Sequence, residues 1–309
     1  MKIGFWGTPE IAAYCLESLL TRHQITLVVT KEDKPVGRQK KIQFSPVKQV
    51  ALDHNLKILQ PSNLKEPSFF KEIKDIEVDL FVVVAYGKII PAKIYNHPLY
   101  KTINLHPSLL PKYRGAAPIQ WALINGEKQS GIKIQLINDE MDAGDILAQE
   151  TFSLDENETA AEVYQKVLPL GSEILEKVLN KIYFKEIIPT PQDEGLATYC
   201  QKIDLNLAKI NWSSSSLKIH NLVRALNHKP GTWTTLAGKR LKVWKTRLTY
   251  ENFDEKIMPG TLIKMKKELL VKTGNGSLVI EELQLEGKKN MSGSSFINGY
   301  REIDGNQLT

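Results

Sequence analysis

Residues 79–85, DLFVVVA, limit the fold more than any other stretch of the chain. Their centre is β-branched and uncharged, with no polar alternation, so it reads as a strand covered on both faces. Strands of that kind belong to parallel sheets flanked by helices. Residues 2–6, 24–30, 57–59, 102–106, 131–138 and 146–152 are further strand candidates. Helical patterns lie among them: after Gly7-Thr8-Pro9, over 46–54, 69–74 and 117–125, and over 159–181, where Pro169 threatens a break. Such alternation predicts an α/β domain with a Rossmann-like, mostly parallel sheet over residues 1–186.

The pattern changes after residue 185. Residues 187–195, IIPTPQDEG, combine proline and charge, and 187–202 read as a linker. Serines 213–216 precede a helix at 217–226, with a serine as the expected N-cap. Five short strand candidates follow at 231–236, 239–247, 260–265, 268–273 and 277–285. Close spacing and the turn Gly274-Asn275-Gly276 predict a small OB-like β-barrel over residues 203–309. Charge separates the two regions. Residues 201–309 hold 18 basic and 10 acidic residues, an excess of +8, whereas residues 1–200 hold 23 and 25. A basic module beside a near-neutral one suggests a polyanionic partner, with a solubilising surface as the plainer explanation. A second basic patch lies at 31–48, with six basic and two acidic residues. Pro35, Gly37 and Pro46 bar it from being one continuous helix or strand. The two cysteines, Cys15 and Cys200, leave no disulfide framework and no CxxC metal site. No apolar run reaches transmembrane length, so a cytoplasmic chain without a membrane partner is expected.

Three groups of residues invite chemistry. Asn104 and His106 stand two apart at the end of a strand, hence on one face, and Pro107 stops the strand after them. An amide beside an imidazole at a parallel strand's carboxyl end suits a reaction that develops an oxyanion. A capped strand end with a satisfied histidine is the plainer reading. Asp139, Glu140, Asp142 and Asp145 crowd one turn, and a carboxylate among them could orient His106 and keep it protonated. Spacing does not choose among the four, although Asp142 precedes Ala143-Gly144, where the chain turns tightly. No second histidine or cysteine lies close enough to suggest a metal. Residues 108–118, SLLPKYRGAAP, run from apolar to basic and suggest one wall of a flat-ligand pocket. Neither GxGxxG nor a Walker A sequence occurs, which disfavours nicotinamide hydride transfer and ATP hydrolysis.

Residues 104–111 (NLHPSLLP), 113–118 (YRGAAP) and 141–145 (MDAGD) resemble the two signatures of the folate-dependent formyltransferases. The lead FWGTP at 5–9, KPVGRQKK at 34–41, SPVK at 45–48 and VAYG at 84–87 resemble the branch that formylates an aminoacyl-tRNA, as do Arg224-Ala225, PGTW at 230–233 and Val243-Trp244. Pro107 departs from that pattern, in which a small residue is common. The resemblance implies a Rossmann-like catalytic domain and an OB-like domain that binds tRNA. It implies that 10-formyltetrahydrofolate donates a formyl group to the amino group of methionyl initiator tRNA, without a metal; a monomer is the expectation for the protein, although the sequence itself does not give the oligomeric state. It makes Asn104, His106 and Asp142 the catalytic residues, and Ser108, Leu109, Leu110 and Pro111 part of the folate site. Arg38, Lys40 and Lys41 then lie in the loop that meets the tRNA acceptor end. Two competing expectations are a related formyltransferase for a small amine, such as a nucleotide-sugar, and a non-enzymatic tRNA-binding protein.

Overall fold

Strands and helices alternate through the first 183 residues of the computed structural model, which describes residues 1–36, 41–300 and 303–309. In chain order they are β1 (Lys2–Gly7), α1 (Glu10–Leu20), β2 (Gln24–Val29), β3 (Lys34–Val36), β4 (Lys41–Gln43), α2 (Pro46–Asp53), β5 (Ile58–Leu59), α3 (Pro67–Lys74), β6 (Leu80–Val84), α4 (Ala92–Tyr95), β7 (Thr102–His106), β8 (Arg114–Gly115), α5 (Pro118–Ile124), β9 (Gln129–Leu136), β10 (Ile146–Ser153) and α6 (Ala160–Tyr183). After them come β11 (Tyr199–Cys200), α7 (Ser216–Leu226), β12 (Thr232–Leu236), β13 (Lys239–Thr249), β14 (Leu262–Met265), β15 (Glu268–Lys272), β16 (Ser277–Leu285), β17 (Met291–Ser292) and α8 (Gly293–Gly299). They form two compact units. The first comprises Met1–Pro118, Ser130–Phe152 and Tyr164–Cys200; the second comprises Ile119–Gln129, Ser153–Val163 and Gln201–Thr309.

The first unit is built on a seven-stranded sheet in the order β10-β9-β7-β6-β1-β2-β5. From β5 to β7 every pairing is parallel, and β7 meets β9 antiparallel. All five residues of β6 are buried, as the run LFVVV requires. Strand order reverses between β1 and β6, the point at which sheets of this kind bind ligands beyond the strands' carboxyl ends. Helix α6 continues through Pro169 without a break. One lost main-chain bond is tolerable in 24 residues whose Val167, Leu175, Val178 and Leu179 are buried. Part of the basic segment forms a hairpin, β3 against β4, with Lys34 opposite Gln43. The segment between residues 183 and 202 is more ordered than its composition suggests. Thr190 bridges Ile146, and β11 pairs in parallel with β8. Both partners are distant in sequence, so no local pattern announces them.

The second unit holds an antiparallel sheet in the order β12-β13-β16-β15-β14, with β17 on β16. Its core includes Trp212, Ile219, Val223, Leu241, Val243, Leu283 and Phe296. Residues near 306–309 join the two outer strands. Leu308 bridges Leu236 of β12, and Gln307 bridges Thr261, next to β14. Helix α7 is capped by the Ser215 hydroxyl, which accepts from the Lys218 N–H at 3.4 Å. Its Arg224 is buried and donates to the carbonyls of Asp155 and Glu158 at 3.0 and 3.2 Å. His220 lies against the carbonyl of Glu156 and the hydroxyl of Thr246.

Candidate active site

Period-two geometry on β7 places Asn104 and His106 on one face. In the antiparallel register Asn104 stands opposite Gln135, and His106 opposite Lys133. Directly opposed residues share a face, so these four side chains line one patch. Between them Leu105 and Ile134 turn the other way and are buried. The acidic turn folds back onto β9 after it. Asp142 adopts a left-handed φ of +53°, and the N–H of Leu136 donates to the carbonyl of Asp145 at 2.9 Å. A Cβ on Gly144 would lie 1.8 Å from the Leu136 carbonyl oxygen, so only glycine fits that return.

The turn delivers one carboxylate to the strand pair. Asp142 Oδ1 accepts from Asn104 Nδ2 at 3.3 Å and from Gln135 Nε2 at 3.1 Å. Its Oδ2 accepts from the Gly115 N–H at 2.8 Å and faces His106 Nδ1 at 3.6 Å. His106 Nε2 lies 2.9 Å from the Tyr113 carbonyl oxygen. A carbonyl only accepts, so Nε2 carries the proton. Asp139 is engaged elsewhere, accepting from the Tyr95 hydroxyl at 2.6 Å, a bond that raises the phenol's pKa. Glu140 points into solvent. Of the four acidic residues, Asp142 is the one in contact with Asn104 and beside His106. Lys133 is half-buried on the same patch, and burial lowers its pKa.

Residues 108–111 begin directly beside His106. The Ser108 hydroxyl donates to the Lys112 carbonyl at 2.7 Å, Leu110 is buried, and the Pro111 carbonyl accepts from the Thr198 N–H at 3.2 Å. Beyond them Arg114 is fully buried, with a two-pronged bond from Nη1 and Nη2 to Glu194 at 2.8 and 2.6 Å. These bonds raise the pKa of Arg114 and lower that of Glu194. Gln192 stands between Arg114 and the acidic turn. Sequence reasoning missed Gln135 and Gln192. Gln135 could have been found only through the β7–β9 register, and Gln192 lies in residues read as a linker. Arg38 and Lys40 lie outside the described residues; Lys41 opens β4, where only its backbone is described.

The second unit carries a basic, aromatic surface. The Trp233 ring lies under Arg240 and Lys209, with cation-to-centroid distances of 4.3 and 5.6 Å. Lys242 sits 4.7 Å from the Trp244 ring centroid. Among the described residues, no group of three or more His, Cys, Asp or Glu is arranged to hold a metal ion. No helix among them is long and apolar enough to cross a membrane.

Comparison with known proteins agrees with this organisation. Residues 1–179 match the formyl transferase family model, and residues 202–301 match the formyl transferase C-terminal domain. The methionyl-tRNA formyltransferase of Acetivibrio thermocellus is 41% identical over 310 residues, covering 100% of this chain and 99% of its own. That of Clostridium novyi is 42% identical over 301 residues, 97% of each chain. Among solved structures, the sugar 3N-formyl transferase WlaRD, determined with dTDP and 5-N-formyl-THF, superposes with a TM-score of 0.69 at 25% identity. It covers 94% of this chain and 99% of its own. HypX from Aquifex aeolicus in complex with tetrahydrofolic acid shares the fold, with a TM-score of 0.67 at 18% identity, over 98% of this chain and 48% of its own. Both family models are matched and full-length relatives align from end to end, so this chain belongs to the formyl transferase family.

Proposed function

We propose that the chain transfers the formyl group of 10-formyltetrahydrofolate to the amino group of methionine carried by initiator tRNA, for translation initiation. The end-to-end likeness to methionyl-tRNA formyltransferases, at 41% and 42% identity, carries this reading. The folate ligands of WlaRD and HypX support the donor.

The donor set fits the reaction. The folate supplies a formyl group on nitrogen, whose carbon is open to attack by a neutral amine. Asn104 donates the second N–H of its Nδ2 to the formyl oxygen as it gains charge, and His106 joins it when its Nε2 N–H leaves the Tyr113 carbonyl for that oxygen. Asp142 orients both donors and, through His106 or water, receives the proton that the amine sheds. A C–N bond forms at methionine, the bond from the formyl carbon to the folate nitrogen breaks, and the proton is returned to that nitrogen. Ser108, Leu109, Leu110 and Pro111 form part of the folate pocket wall. Arg38, Lys40 and Lys41 meet the acceptor end, and docking supplies position. Residues 1–186 act as the catalytic domain, 187–202 as the connection, and 203–309 as an OB-like domain whose basic surface grips tRNA phosphates. The protein works as a cytoplasmic monomer.

The likeness to WlaRD favours one competing reading, a small amine on a nucleotide-sugar. Purified protein and 10-formyltetrahydrofolate, offered methionyl initiator tRNA, methionyl elongator tRNA and a dTDP-amino sugar in parallel, separate the two. Formylation is expected on the initiator tRNA. Turnover of the sugar alone would favour the competing reading, and turnover of neither would reject both.

A further inference from the structure

We propose that Gln192 is a positioning residue for formyl transfer, acting through Asp142; this rests on Asp142 being catalytic. Gln192 Nε2 lies 2.9 Å from the Asp142 carbonyl oxygen, 2.7 Å from that of Gly144 and 3.1 Å from Gln135 Oε1. Its two N–H groups are shared among these three acceptors, so one amide spans the turn on both sides of Asp142, whose left-handed backbone the surroundings must hold.

Direction matters as much as contact. Arg114 only donates, and its Nε and Nη2 lie 3.2 and 2.9 Å from Gln192 Oε1. That fixes which end of the Gln192 amide is oxygen and turns its N–H groups toward the turn. Gln135 is buried, and with its Oε1 held by Gln192 its Nε2 must face Asp142 Oδ1. Bonds therefore run one way, from Arg114 to Gln192 to Gln135 to Asp142. Glu194 anchors the start through its paired bonds to Arg114. Without Gln192, the Gln135 amide is free to flip and set oxygen against oxygen at Asp142. The carboxylate then loses its place between Asn104 and His106.

Gln192→Met keeps the side chain's length and removes its polar atoms. Gln192→Glu keeps an acceptor for Arg114 and replaces the donor with an oxygen. Each is expected to lower kcat at least 10-fold, with the KM values for 10-formyltetrahydrofolate and methionyl-tRNA within about threefold of wild type. A double-mutant cycle with Asp142→Ala, followed in single turnovers, supplies the decisive readout. If Gln192 acts through Asp142, either substitution adds less than twofold to the loss already caused by Asp142→Ala. A full further 10-fold loss in that background, or wild-type kcat in the single variants, overturns the proposal. Normal turnover of Asp142→Ala itself would overturn the catalytic reading of Asp142, and the proposal with it. Circular dichroism and thermal unfolding establish folding, and if Gln192→Met does not fold, the isosteric Gln192→Glu carries the same cycle.

Discussion

Asp142 accepts from two side-chain amides and one backbone N–H, and it faces an imidazole across 3.6 Å. A carboxylate so enclosed is fixed in place, which suits a group that must align two donors on a developing charge. Replacing Asn104, His106 or Asp142 with alanine is expected to lower kcat by about two orders of magnitude or more. Binding of tetrahydrofolate should change far less. Single-turnover rates with separate folate titrations check both, and near-normal turnover in a folded variant removes that residue from the mechanism. Asn104 and His106 were legible in the sequence because a two-residue spacing at a strand end fixes a common face. The choice of Asp142 among four acidic residues was not, since it depends on the turn returning to β9 at Gly144. Nor was Gln192, whose partners lie 48 to 78 residues away and whose neighbours carry the composition of a connection.

Helix α7 shows how an element's interior sets a pH response. Burial holds the His220 imidazole below its ordinary pKa of 6.5, with Arg224 adding to the effect and Glu156 and Glu281 opposing it. The unfolded chain therefore takes up this proton more readily than the folded one. Stability supplied by neutral His220 is complete above pH 6.5 and is lost as pH falls toward the lower folded value. Urea midpoints of the full chain should decline on acidification below pH 6.5, and His220→Gln should flatten that decline. An identical slope in the variant would assign the pH response to other groups. The helix itself was readable from its serine cap and apolar spacing, and strands β12 to β16 from their turns. The pairing of β8 with β11 was not, because two-residue strands carry no period.

At the scale of the molecule, the charge excess of residues 201–309 meets half-buried rings flanked by cations at Trp233 and Trp244. If tRNA phosphates lie along this surface, Arg240→Ala and Lys242→Ala should each weaken binding alike across tRNA sequences. Each should reduce the slope of log affinity against log salt by roughly 1. Unchanged slopes in both would make the charge a solubilising feature. The division into two units was legible from composition, but their membership was not. The chain passes from one unit to the other five times, because 119–129 and 153–163 belong with the C-terminal part. Arg224 takes its carbonyl partners from Asp155 and Glu158, in one of those returns. A fragment of residues 201–309 would lose both acceptors together with the segments that pack in the same unit, leaving apolar surface of α7 uncovered. It is expected to unfold cooperatively only when co-expressed with 1–200, as calorimetry of the fragment and of the pair would reveal. For recombination between relatives, the consequence is that the C-terminal module is not a single cassette: a viable chimera must carry residues 119–129 and 153–163 along with it.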